Sequence, residues 1–239
     1  MASDDFDVDG LARYLHISPP QVTRMAERGK VPARRVGGQW RFSQAEIHHW
    51  LEERIGAAEE SDLADVEQFV RRAAPEPLPT ITEMLPREAV AVPLPARTAA
   101  SVVEAMVKLA ASTGLLWDEA RMIEAVNARE SLHPTALDNG VAFLHPRRPL
   151  PLILSQPLLA LGKTTQGIPF GNTRGQLTDI FFLVASVDDA GHLHTLARLS
   201  RIIGRPEFLD TLRATDDPYE AWKLIIDADQ QIEDLRTGS

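Results

Sequence analysis

Proline recurs at every second position in Ala74-Pro75-Glu76-Pro77-Leu78-Pro79. Each proline fixes its own φ and lacks an amide donor, so neither a helix nor an interior strand can run through the segment, which is expected to be extended. A chain of 239 residues is thereby cut into a short and a long part. The expected organisation is an N-terminal module over residues 1–54, an amphipathic helix and proline-rich linker over 55–80, and a larger domain over 81–239.

The chain carries no cysteine, which excludes disulfides, thiolate nucleophiles and cysteine-ligated zinc. No metal site and no cofactor is expected. The start, Met1-Ala2-Ser3-Asp4-Asp5, is acidic where a secretory signal is basic, and the most apolar run, 180–187, is too short to span a bilayer. The expectation is a cytoplasmic protein that is not inserted in a membrane. Its formal charge is -9. Between Arg13 and Arg41 the balance reverses, with seven basic residues against Glu27 alone, so a nucleic-acid-facing module on an acidic body is expected.

In that basic stretch Val8, Leu11, Ala12 and Leu15 form a helical stripe, and Ser18-Pro19-Pro20 is a helix-start signal after the tight segment His16-Ile17. Val22, Met25 and Ala26 are expected to face inward. Gln21, Thr23, Arg24 and Arg28 then face out, towards base edges and phosphates of a major groove. Two short extended runs flank Gly37-Gly38, a hairpin turn sequence, and make a basic wing bearing Arg34, Arg35 and Arg41. Ser43 and Glu46 make a capping box for a helix carrying Ile47, Trp50 and Leu51. Residues 8–54 resemble the excisionase-type, mercury-regulator-like (MerR-like) winged helix-turn-helix family, through Gly29 to Leu51 above all. The resemblance implies DNA as a partner, with Gln21, Thr23 and Arg24 in the major groove and Arg34, Arg35 and Arg41 on the backbone or minor groove. His48 and His49 are adjacent on one helix, about 100 degrees apart, and so cannot chelate an ion together. Leu63, Val66, Phe69 and Val70 mark residues 61–72 as an amphipathic helix. Its stripe packs on its own domain or, alternatively, joins a homodimer.

Beyond the prolines, residues 89–94 alternate as a strand, and 99–111 and 118–128 have helical periodicity. Residues 141–144, 152–154 and 177–185 read as strands, and 192–203, 206–213 and 218–228 as helices. This order specifies an α/β domain, a mixed sheet covered by helices, beside a small, mainly α N-terminal module.

The densest functional signal runs from Arg129 to His145, where a helix ends, a polar loop follows, and an apolar strand terminates in histidine. Arg129-Glu130, Thr135, Gly140-x-Ala142 and His145 resemble the phosphoryl-accepting IIA components of the bacterial sugar phosphotransferase system, in their fructose, mannitol and nitrogen-regulatory branch. The resemblance covers residues 79–227. His192-Leu193-x-x-Leu196 matches a second motif of that family. The resemblance implies that His145 accepts the phosphoryl group, with His192 and Arg129 beside it and Thr135 as a phosphate-binding candidate; Arg147 is a further candidate from its charge alone, compensating with Arg148 for the amide that Pro146 lacks. The implied partner is a phosphohistidine carrier protein of the HPr/NPr type. His194 is turned about 200 degrees from His192, so only one of the two can face the site, and His194 is expected at the solvated surface. Leu193, Leu196, Leu199 and Ile203 become the buried stripe.

Leu144 and Pro146 depart from the family pattern, and the proline removes an amide that could donate beside a phosphate. Three functions follow from these readings. One is a transcriptional regulator tuned by phosphorylation of His145. Another is a chemically silent IIA sensor on a DNA-binding module. The last is a phosphocarrier serving a sugar permease.

Overall fold

The computed structural model describes residues 5–15, 17–43, 46–47, 50–51, 63, 67, 71, 77–172 and 174–237. They form two compact units, Met1–Pro77 and Leu78–Ser239. His16, His48, His49, most of the 61–72 helix and linker residues 72–76 lie outside the described residues.

In the first unit, strand β1 (Asp5–Phe6) leads into helix α1 (Val8–Tyr14), where Asp7 accepts from Gly10 N at 2.6 Å as the N-cap. Helix α2 (Pro19–Glu27) opens with proline and a capping box between Ser18 and Gln21. Strands β2 (Arg34–Val36) and β3 (Gln39–Ser43) pair antiparallel, and β1 joins the far edge of β3. Gly37 and Gly38 both have positive φ, 58° and 80°, the combination that a two-residue hairpin turn of right-handed strand twist requires. Leu11, Val22, Ala26, Phe42, Ile47 and Leu51 are buried together with Leu63. Met25, expected inside, is only half-buried. Glu46, Ile47, Trp50 and Leu51 are helical as expected. Of the 61–72 stripe, Leu63 is helical and buried, while Val66, Phe69 and Val70 lie outside the described residues.

The second unit is built on a four-stranded sheet in the order β4-β6-β7-β5: β4 (Val90–Ala91), β5 (Val141–Leu144), β6 (Leu158–Pro169) and β7 (Leu177–Ala185). The β4/β6 and β5/β7 pairs are parallel, and β6/β7 is antiparallel. The sheet is therefore mixed, and helices cover it. Short helix α3 (Ile81–Met84) precedes the sheet, α4 (Ala99–Ala111) and α5 (Glu119–Glu130) lie between β4 and β5, and α6 (Asp189–Ile203), α7 (Pro206–Ala214) and α8 (Pro218–Thr237) complete the domain. Helix α4 starts at a Thr98–Ser101 capping box and buries Val102, Val103, Met106, Val107 and Ala110. At Gly162 of β6 a Cβ would stand 2.5 Å from Met106 Sδ, so glycine is what lets α4 settle on the strand. Lys163, 6% exposed, donates its Nζ to Arg213 O at 2.7 Å and to Thr215 O, satisfying the carboxyl end of α7.

Two strand expectations give way. Residues 152–154 are not a strand: Pro151–Ile153 is a 3-10 turn, held through a single antiparallel bridge from Leu154 to Leu116, because Pro149 and Pro151 remove ladder donors. Residues 89–94 shorten to Val90–Ala91, after a 3-10 turn at Arg87–Ala89 and before Pro93. The long strand β6 has no counterpart in the sequence reading.

Candidate functional site

Because β5 and β7 are parallel neighbours, with Leu144 opposite Leu183, the chain leaves both strands at the same end of the sheet. That end is where the loops of a parallel pair gather functional groups. His145 is the first residue after β5, and Ser186 the first after β7. Two residues on, Asp188 accepts from Gly191 N at 2.8 Å and starts α6, which places His192 in its first turn. The rings of His145 and His192 meet with centroids 5.0 Å apart and planes at 56°.

Each ring is held from behind. His145 Nδ1 lies 2.8 Å from Phe143 O. A carbonyl can only accept, so Nδ1 carries the proton and, in the neutral ring, the lone pair resides on Nε2. His192 Nδ1 lies 3.2 Å from Ser186 Oγ. The Ser186 carbonyl in turn accepts from Leu150 N at 3.1 Å, which ties the segment following His145 to the end of β7. His145 is 2% exposed and His192 is 6% exposed.

Arg129, at the end of α5, is buried and donates Nη1 to His133 O at 2.7 Å, closing the loop that follows the helix. Glu130 accepts from Thr135 N at 3.0 Å and from the Thr135 hydroxyl. Burial pushes the Glu130 carboxyl up from its ordinary range, against the opposing pull of the Thr135 hydrogen bonds and of Arg129. Arg129, Glu130, His133 and Thr135 thus form a loop network, with the Thr135 hydroxyl proton committed to Glu130. Gly140, with φ of 83°, turns the chain into β5, and Arg213 donates to Asn139 O at 2.5 Å beside it. Arg147 is exposed, two residues past His145.

The family resemblance put His192 beside His145, and the two rings do meet, whereas His194 is not at the surface where it was expected. His194 is 1% exposed, because α6 is covered on nearly every side, so a residue turned away from the site enters the protein interior and not solvent. The stripe Leu193, Leu196, Leu199 and Ile203 is buried as expected. Ser186 was missed. A polar residue directly after an apolar strand that ends beside His145 is the signal that could have found it.

On the N-terminal unit, several of the residues expected at DNA also hold partners within the unit. Gln21 is exposed, but its Oε1 accepts from Ser18 N and Ser18 Oγ, both at 2.9 Å, so it closes the helix cap. Thr23 donates its hydroxyl to Pro19 O at 3.1 Å. Arg34 donates to Asp5 at 2.5 Å across the three-stranded sheet, and this carboxylate raises the arginine above its already high value. Arg24 and Arg28 are exposed on α2, and Arg35 lies over the Trp40 ring at 4.7 Å. Arg41 donates to Gln39 Oε1 at 3.1 Å.

The family model of the phosphoenolpyruvate-dependent sugar phosphotransferase system, EIIA 2, matches residues 83–228. The chain belongs to that family. Residues 6–55 match a helix-turn-helix domain model, so the protein joins a helix-turn-helix DNA-binding module to a IIA domain. The nitrogen regulatory protein of Bradyrhizobium diazoefficiens is 30% identical over 149 residues, covering 61% of this chain and 94% of that protein. The fructose-specific EIIABC component of Bacillus subtilis is 28% identical over 129 residues, 53% of this chain but only 20% of its own length. Among solved structures, the nitrogen regulatory protein IIA-Ntr of Neisseria meningitidis superposes with a TM-score of 0.54 at 22% identity, covering 61% of this chain and 98% of that one. The mannitol IIA protein of Escherichia coli gives 0.52 at 16% identity, over 59% and 97%. Both share the IIA fold. No helix among the described residues is long and apolar enough to cross a membrane.

Proposed function

We propose that this protein is a cytoplasmic transcriptional regulator whose IIA domain accepts a phosphoryl group on His145 from a phosphohistidine carrier protein of the HPr/NPr type. The reading rests on one observation, the juxtaposition of His145 and His192 with the Nδ1 of His145 held by Phe143 O. In the step, the lone pair of His145 Nε2 attacks the phosphorus of the donor phosphohistidine. The N–P bond to the carrier breaks as the new one forms, and the carrier imidazole leaves with the electron pair. Arg129, Thr135, His192 and Arg147 are the candidates to steady the phosphoryl oxygens. Thr135 would do so by releasing Glu130.

The N-terminal unit acts as a MerR-like, excisionase-type reader of DNA, with α2 in the major groove and the hairpin arginines on the backbone. Phosphorylation adds close to two negative charges, enough to alter how the chain engages DNA or a partner. The test is intact-mass and phosphohistidine analysis after incubation with a phosphorylated carrier, on wild type and His145→Ala, followed by operator binding of both forms. An acid-labile label absent from His145→Ala, with a shift in DNA affinity, is expected. Identical DNA binding by the two forms removes the regulatory part.

A second reading is favoured by the 2% exposure of His145 and by the burial of Pro146, which follows it in the chain. Here the IIA domain is chemically silent and serves as a protein-binding module. Failure of the carrier to label the intact protein, with binding to the carrier retained, selects this version.

A further inference from the structure

Ser186 follows β7 directly, at the end of the sheet where His145 leaves β5 and α6 begins. Its neighbour Ala185 is paired with Leu158 in the sheet, and its carbonyl accepts from Leu150 N at 3.1 Å. Ser186 is 3% exposed. Among the described residues its Oγ has one hydrogen-bond partner, His192 Nδ1 at 3.2 Å. A hydroxyl carries a proton that must be given to an acceptor, and leaving it ungiven in the interior forfeits its hydration. The acceptor within reach is Nδ1, which can accept only when it bears no proton.

We propose that Ser186 is a positioning residue that fixes His192 as the tautomer protonated on Nε2, opposite to that of His145, so that His192 offers an N–H donor to the phosphoryl group on its neighbour. The role in phosphate stabilisation rests on the phosphoryl-accepting reading above. The tautomer assignment stands on the hydrogen bonding alone. The two rings divide the labour by what lies behind them. A carbonyl behind His145 leaves its Nε2 a nucleophile, and a hydroxyl behind His192 leaves its Nε2 a donor. The same serine links this choice to the segment after His145, since its carbonyl pins Leu150. Displacement of the 146–150 segment by an incoming carrier therefore acts on the residue that sets the His192 tautomer.

The first measurement is the long-range ring-nitrogen spectrum of the 15N-labelled full chain, without phosphate. His145 protonated on Nδ1 and His192 on Nε2 is the expected pattern, and a wild-type His192 protonated on Nδ1 overturns the assignment outright. The second compares phosphoryl lifetime on His145 after labelling by a phosphorylated carrier. Ser186→Ala is expected to shorten it about tenfold, roughly the effect of losing one net hydrogen bond. Ser186→Thr, which keeps the donor, restores the wild-type lifetime. Equal lifetimes in all three proteins refute the positioning role. A wild type that takes no label brings down the phosphoryl-accepting reading, while the nitrogen spectrum still decides the tautomer.

Discussion

Arg198 Nε and Asp229 Oδ1 meet at 2.7 Å, and each side chain is 1% exposed. The Arg198 guanidinium also donates to Asp229 O at 2.9 Å and to Glu233 at 2.8 Å, while Asp229 Oδ2 accepts from Thr82 N at 3.2 Å and from the Thr82 hydroxyl at 3.1 Å. Helix α6, which carries His192, is thereby locked to α8 and to α3 by a charge pair whose lone pairs are widely satisfied.

Breaking a buried pair from one side leaves the other charge stranded, which typically costs about 3–5 kcal/mol. Asp229→Ala should therefore lower stability by that order in urea titrations of the intact protein, with Asp229→Asn falling between it and wild type. A loss for Asp229→Ala no larger than that of a surface substitution, within about 0.5 kcal/mol, would contradict the geometry.

Glu130 supplies a pH dependence with a definite sign. Its carboxyl is raised in the folded state, so the folded protein holds the proton more tightly than the unfolded chain. The contribution is fully present below the ordinary carboxylate value of 4.5 and is lost as pH rises through the folded value. Glu130→Gln cannot titrate, so the stability difference between this variant and wild type should move in the variant's favour as pH rises from about 4 upwards. Melting curves of the two proteins across that range decide it, and a constant difference would show that Glu130 is not perturbed.

Four arginines of the N-terminal unit separate into three classes. Arg24 is exposed on α2, so Arg24→Ala should change sequence preference. Arg35→Ala and Arg41→Ala should weaken binding to all sequences alike and reduce the salt slope by about 1 each. Arg34 is engaged with Asp5, and its removal should be felt in thermal stability together with Asp5→Ala rather than additively. Salt-dependent binding curves on two DNA sequences, with melting curves of the double variant, separate these outcomes.

Gly37 and Gly38 stand in open space, with nothing within 4 Å of the point a methyl group would occupy, so a side chain there is opposed by backbone conformation alone. Gly38→Ala should destabilise the hairpin by about 1–2 kcal/mol, the usual difference for a left-handed residue that is not glycine. Hydrogen exchange of the Val36 and Gln39 amides should rise before any change elsewhere in the protein. Unchanged exchange would mean that the turn is held by something other than its torsions.

Much of this molecule follows from local sequence. The hairpin at Gly37-Gly38, the Ser18 and Thr98 caps, the helix at 99–111 and the strands at 141–144 and 177–185 each depend on neighbours along the chain, and each stands where the residues place it. The motif positions of His145 and His192 were legible for the same reason. Their contact was not, since it arises from the parallel pairing of β5 with β7, which no local pattern encodes. Strand β6 was invisible because Leu158–Pro169 shows no period-two alternation: its first seven residues are buried on both faces and Gly162 and Gly167 interrupt it. His194 reads as a surface residue, and nothing local marks Arg198 or Asp229 for burial; all three are interior because other helices close around α6. The sequence by itself determined the main helices, the strands at 141–144 and 177–185 and the identity of the histidine candidates. Tertiary structure decided which polar groups are buried and which face one another, because burial and facing depend on strand order and helix docking between residues far apart in the chain.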